Sequence, residues 1–115
     1  MGYRVVAIMA LVLIGLVALP SQALAQAQVE RGMKVFADSK CSMCHSVAGK
    51  GNAKGPLDDV GTKLVAADIR GWLTHPEEMR KKASSDRKPM MKAFSTLSKD
   101  DLDALVAYLQ TLKKK

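Results

Sequence analysis

The chain has 115 residues, room for one small domain, with 18 Lys and Arg against 11 Asp and Glu and a formal charge of +7. Only two cysteines are present, which excludes a multi-disulfide scaffold and a four-cysteine iron–sulfur cluster. Aromatic residues make up 4% of the chain, little with which to fill a core.

The first stretch reads as a leader. Arg4 supplies a positive start, and Val5–Leu19 is an unbroken apolar run of 15 residues. As a helix that run is about 22 Å long, short of a ~30 Å hydrocarbon core. Pro20, Ser21 and Gln22 form a polar, helix-breaking segment, and Ala23-Leu24-Ala25 has the small-x-small form of a signal-peptidase site. The expectation is a cleaved signal peptide over residues 1–25 and a mature domain over 26–115, with Ala25-Gln26-Ala27 as a second possible site and an uncleaved anchor as the alternative. Loss of Arg4 leaves the mature domain at a formal +6.

Three helical stretches follow in the mature region. The first spans about Gln28 to Asp38, with Val29, Gly32, Met33 and Phe36 at helical spacing. The second is short, from about Ala67 to Thr74, and a further turn starts at Pro76, with Glu77 and Glu78 where carboxylates suit a helix N-terminus. The last has Ser98 as N-cap, Asp101 in a capping-box variant, and Leu102, Leu105, Val106, Leu109 and Leu112 on one face, with Lys113–Lys115 at its C-terminal end. Alternating strand patterns are absent, so the expected fold is all-α. Two long segments, Ser46–Thr62 and Ser84–Thr96, read as irregular, and loops of that length in a small domain have something to wrap.

The chemistry lies in Cys41-Ser42-Met43-Cys44-His45, a C-x-x-C-H run, which is the attachment signal for c-type haem. Two thiols three positions apart on a helical turn reach the two vinyl groups of one porphyrin and form thioethers, and the adjacent imidazole of His45 is placed under the iron. The rival readings fit less well. Zinc wants about four ligands, and the mature chain offers two Cys, His45 and His75. A dithiol oxidoreductase wants a βαβ setting that is missing. A disulfide across two intervening residues closes a tiny loop and stabilises little.

With Cys41–His45, a Gly55-Pro56-Leu57 segment, and Pro89-Met90-Met91-Lys92-Ala93-Phe94 ahead of a helix ending Leu105-Val106-Ala107-Tyr108-Leu109, the chain resembles a class I cytochrome c over about Val29–Leu112. The resemblance implies a small helical domain wrapped round one covalent haem, with the N- and C-terminal helices crossing at Gly32 and Phe36 against Leu105 and Tyr108. It implies His45 and Met91 as axial ligands, Met91 rather than Met90 because it lies three residues before Phe94. It implies Pro56 as the residue whose carbonyl accepts the His45 Nδ1–H, and Trp72 packed beside the haem. Lys92 departs from the pattern, where a proline is often found. His75 reads as a surface cap or loop residue, Met33 and Met43 as packing residues.

The function so implied is that of an exported, periplasmic one-electron carrier, monomeric and not membrane-inserted after cleavage. Its iron has no open position, so it is not an enzyme. Its partners are redox proteins with acidic docking surfaces rather than nucleic acid, since a lysine-rich surface speeds encounter with an acidic one. The alternative is a five-coordinate haem enzyme or ligand sensor.

Overall fold

A computed structural model describes residues 19–115; Arg4 and all but the last residue of the apolar run lie outside them. The elements in order are helix α1 (Leu19–Asp38), a 3-10 turn (Cys41–Met43), strands β1 (Ser46–Val47) and β2 (Lys50–Gly51), and helices α2 (Val60–Lys63), α3 (Ala66–Thr74), α4 (Pro76–Lys82) and α5 (Lys99–Gln110). The fold is all-α apart from that two-residue hairpin.

Helix α1 is longer than its sequence pattern. Pro20, expected to break a helix, lies within the described part of α1. The Ala23-Leu24-Ala25 segment is therefore helical, and residues 20–28 are all exposed. Packing on the core begins at Val29.

The centre of the domain is the contact of α1 with α5. Gly32 is buried there. A Cβ on it would run into the Ala104 carbonyl and lie 2.6 Å from Tyr108 Cβ, so only glycine allows the two backbones this approach. One turn on, Phe36 meets the Tyr108 ring edge-on, with centroids 5.6 Å apart. Leu105, at 0% exposure, is the most buried large side chain, and Val35, Ile69, Leu73, Val106, Tyr108 and Leu109 close round it. Helix α3 supplies Ile69 and Leu73, one turn apart on a single face.

The cap of α5 is half of what the sequence offers. The Ser98 hydroxyl accepts the Asp101 N–H at 3.1 Å, but the Asp101 carboxylate turns outward to Arg31 of α1, 2.8 Å away, so the box is not closed. The helix also ends at Gln110, before Leu112 and the three lysines. Instead of continuing it, the tail folds back onto α2: the Gly61 N–H donates to the Leu112 carbonyl at 2.8 Å, and the Lys114 N–H to Asp59 at 3.0 Å. Leu112 still packs on the core by that route.

The first irregular segment holds more order than expected. Ala48 and Gly49 have φ of 50° and 77°, the left-handed pair of a tight hairpin turn, and this joins β1 to β2. The chain then makes the short helix α2. No period betrays elements of two to four residues.

Candidate functional site

Helix α1 stops where Lys40 adopts a left-handed conformation (φ 57°), which swings the chain into the Cys41–Met43 turn. The N–H groups of Cys44 and His45 donate to the Cys41 carbonyl at 3.1 and 2.9 Å, so the C-x-x-C-H run is wound as one helical turn. Both cysteines are free thiols, Cys41 buried and Cys44 exposed. Burial pushes the Cys41 thiol up to about 11.

The hairpin is built onto this turn. The Asn52 N–H donates to the Ser42 and His45 carbonyls at 3.1 and 3.0 Å, and its side-chain amide to the Met43 carbonyl at 3.2 Å. Beside it, Ser46 and Pro56 form a parallel bridge in which the Ser46 N–H donates to the Gly55 carbonyl at 3.1 Å. That register sets the neighbour of His45. Its Nδ1 lies 3.0 Å from the Gly55 oxygen. The acceptor is thus the carbonyl before Pro56, not that of Pro56 itself, because the bridge points the Gly55 carbonyl at the imidazole. A carbonyl only accepts, so Nδ1 carries the proton and the lone pair is left on Nε2, the state a metal ligand needs. Burial lowers the His45 pKa; the Gly55 bond opposes that shift, and nearby Arg87 adds to it.

Pro56 and Trp72 come together on one cavity of about 330 Å³, whose wall also includes the apolar Leu57, Val60, Leu64 and Ala83 and the charged Asp59 and Lys63. Leu57, Val60, Leu64, Met91 and Phe94 all pack on the core while staying only half-buried. The apolar part of this surface fits a flat, apolar group. On α4 the Arg80 Nε is buried without a hydrogen-bond partner, and its Nη1 reaches the Ser85 carbonyl only at 3.5 Å. An unpartnered guanidinium N–H of this kind fits a group bearing carboxylates.

The two candidate methionines differ. Met91 is half-buried against the core, while Met90 is 60% exposed. The Phe94 N–H donates to the Leu73 carbonyl at 2.7 Å and fastens the loop just past them. Lys92, in the place of the missing proline, sets its ammonium 5.3 Å from the Phe94 ring centroid. Met33 and Met43, expected to pack, are 51% and 70% exposed. His75 lies exposed at the corner between α3 and α4, its Nδ1 2.9 Å from the Thr74 hydroxyl.

Two residues at the site carry no sequence signal of their own. Asn52 sews the hairpin to the turn, and Arg87, from the loop before α5, donates to the Cys44 carbonyl at 2.7 Å.

The cytochrome c family model matches residues 29–113, nearly all of the described domain. The chain belongs to the cytochrome c family. It is also 30% identical over 92 residues to the cytochrome c oxidase subunit 2 of Alkalihalophilus pseudofirmus; this takes in 72% of the chain but only 25% of that protein. The chain therefore spans about a quarter of the length of the curated relative it matches. No solved structure matches it. Family membership brings haem c as cofactor and haem-based electron transfer as the general activity. Among the described residues no helix is long and apolar enough to cross a membrane, and no group of three or more His, Cys, Asp or Glu side chains is placed to hold another metal.

Proposed function

We propose that this cytochrome c is an exported one-electron carrier with a single haem, joined to Cys41 and Cys44 by thioethers and ligated by His45 and Met91. The observation that carries the reading is the Gly55–His45 hydrogen bond, at 3.0 Å, in a C-x-x-C-H turn. It orients the imidazole and leaves Nε2 free to coordinate. Haem, when bound, supplies an iron that shuttles between ferric and ferrous states.

The residues of the chain do the rest. Cys41 and Cys44 would hold the group by two thioether bonds from one helical turn. His45, held by Gly55, stays in one tautomer and one orientation in both oxidation states, which keeps reorganisation small. Trp72, Leu57, Val60 and Leu64 would shield the bound group from water. Met91 is supported as second ligand by its burial against the core, where Met90 faces outward. A methionine that fills the sixth position leaves no place for a substrate, which favours a carrier over an enzyme.

Export is supported by the leader pattern and by the exposure of residues 20–28, since among the described residues with a stated burial, cleavage after Ala25 or Ala27 removes only exposed ones. The lysine-rich surface suits docking on acidic redox proteins. That the relative is a cytochrome c oxidase subunit is in keeping with a domain that passes electrons on.

The test is a visible spectrum of the purified protein in both redox states. A covalent c-type spectrum with a weak ferric band at the red end, the mark of methionine on iron, is expected. A ferric spectrum without that band and with high-spin character sinks the carrier reading in favour of an open sixth site.

A further inference from the structure

The segment between α4 and α5 carries both methionines, and its backbone is loosely tied. The Ser85 N–H donates to the Arg80 carbonyl at its start, and the Phe94 N–H to Leu73 near its end. Among the described residues, no backbone hydrogen bond joins positions 86–93 to anything. One side chain spans the gap. The Arg87 Nη2 donates to the Cys44 carbonyl at 2.7 Å, across 43 positions of sequence. The same guanidinium lies over Gly55, where a Cβ would meet both the Cys44 carbonyl and, at 2.6 Å, the Arg87 Nη1. Arg87 thus rests on the turn that holds the two thiols and on the residue that holds the His45 ring.

We propose that Arg87 is a positioning residue that straps the methionine loop to the haem-attachment turn and so keeps Met91 on the iron. The inference rests on the reading of Met91 as sixth ligand. The physical reason is local concentration. Methionine sulfur is a neutral, weak ligand held by a span with no fixed backbone. Pinning Arg87 shortens the free span before Met91 and raises the concentration of its sulfur at the metal. A guanidinium suits the task, because it stays charged and makes a charge-assisted bond to a carbonyl.

The experiment titrates the ferric holoprotein with imidazole, a small competing ligand, and follows loss of the methionine–iron band. Wild type is compared with Arg87→Ala, Arg87→Gln, Arg87→Lys and Lys88→Ala. The last removes the same charge one residue along, where no bond to Cys44 is made. Arg87→Ala is expected to give up its methionine at about tenfold lower imidazole, the size of one charged hydrogen bond lost at a partly wet site. Arg87→Gln and Arg87→Lys, which keep a donor, are expected to fall between, and Lys88→Ala to match wild type. Should the alanine variant fail to load haem, the glutamine and lysine variants carry the same comparison. Equal midpoints for wild type and all Arg87 variants overturn the strap, as does an equal shift in Lys88→Ala, which makes it an effect of net charge. A wild type with no methionine band overturns the ligation itself, and is told apart by appearing before any variant is made.

Discussion

Gly32 and Ala104 meet backbone to backbone, the bare Cα of one helix resting on the carbonyl of the other. Everything at the crossing of α1 and α5 is set by that approach, including the edge-on contact of Phe36 with Tyr108. Substitution Gly32→Ala tests it. In an exposed helix this change stabilises by about 1 kcal/mol. Here the added methyl has no space, and overpacking is expected to destabilise by about 2 kcal/mol. Denaturant unfolding of the holoprotein checks the sign, and a gain in stability refutes the close crossing.

The second prediction concerns acid. Asp103 accepts from Lys99 at 2.7 Å and also from Arg70, and these two bonds hold its carboxyl below the ordinary value of 3.8. A group depressed in the folded state stabilises the fold above its unfolded pKa, and that contribution is lost as pH falls through the folded value. Stability tied to Asp103 is therefore complete at neutral pH and is lost progressively as the pH falls below about 3.8. Thermal melts of wild type and Asp103→Asn are expected to differ at pH 6, and the gap to narrow as the pH is taken down from 6 to 3. A constant gap across that range contradicts the pairing.

The third concerns the thiols. Replacing Cys41 or Cys44 with Ala is expected to reduce the yield of covalent holoprotein strongly, read by haem stain on a denaturing gel. Replacing both leaves the apolar wall of Leu57, Val60, Leu64 and Trp72 without a covalent partner, and circular dichroism is expected to show a chain that has lost cooperative unfolding. A cooperative double variant shows that the α1–α5 core stands without the cofactor.

The fourth separates the methionines. Met91→Ala is expected to abolish the ferric methionine band and lower the reduction potential. Met90→Ala, which trims a side chain 60% exposed, is expected to keep both. The reverse outcome moves the ligand to Met90, and retention of the band in both variants points to exchange between them.

Much of this was legible in the residues. C-x-x-C-H is a local signal, wound within five residues, and its reading needs no tertiary information. The Ser98 cap is likewise readable from its own residues, and the Gly32–Tyr108 face from the resemblance to class I cytochromes c. What escaped was decided by distant partners. Whether Gly55 or Pro56 presents its carbonyl to His45 depends on the register of a bridge with Ser46. Asp101 leaves its box because Arg31 of another helix offers a better partner. The tail stops being helical at Gln110 because Asp59 and Gly61 hold it elsewhere. Asn52 and Arg87 act through backbone carbonyls, and a carbonyl leaves no mark in a sequence. Met33 and Met43 were misread as packing, since a period says which residues share a face but not whether that face is covered.

The contact between Gly32 and Ala104 also orders events in time. A chain is made from its N-terminus, so Cys41, Cys44 and His45 exist well before Lys99–Gln110, the helix that closes over α1. Closing that pair spans most of the domain, and such long-range contacts form slowly. For an interval the attachment turn is complete in sequence while the core behind it is still open. In that interval Cys41, buried in the finished fold, is as reachable as Cys44. On the proposed attachment to both thiols, this interval is when a cofactor reaches Cys41 before the core closes over it.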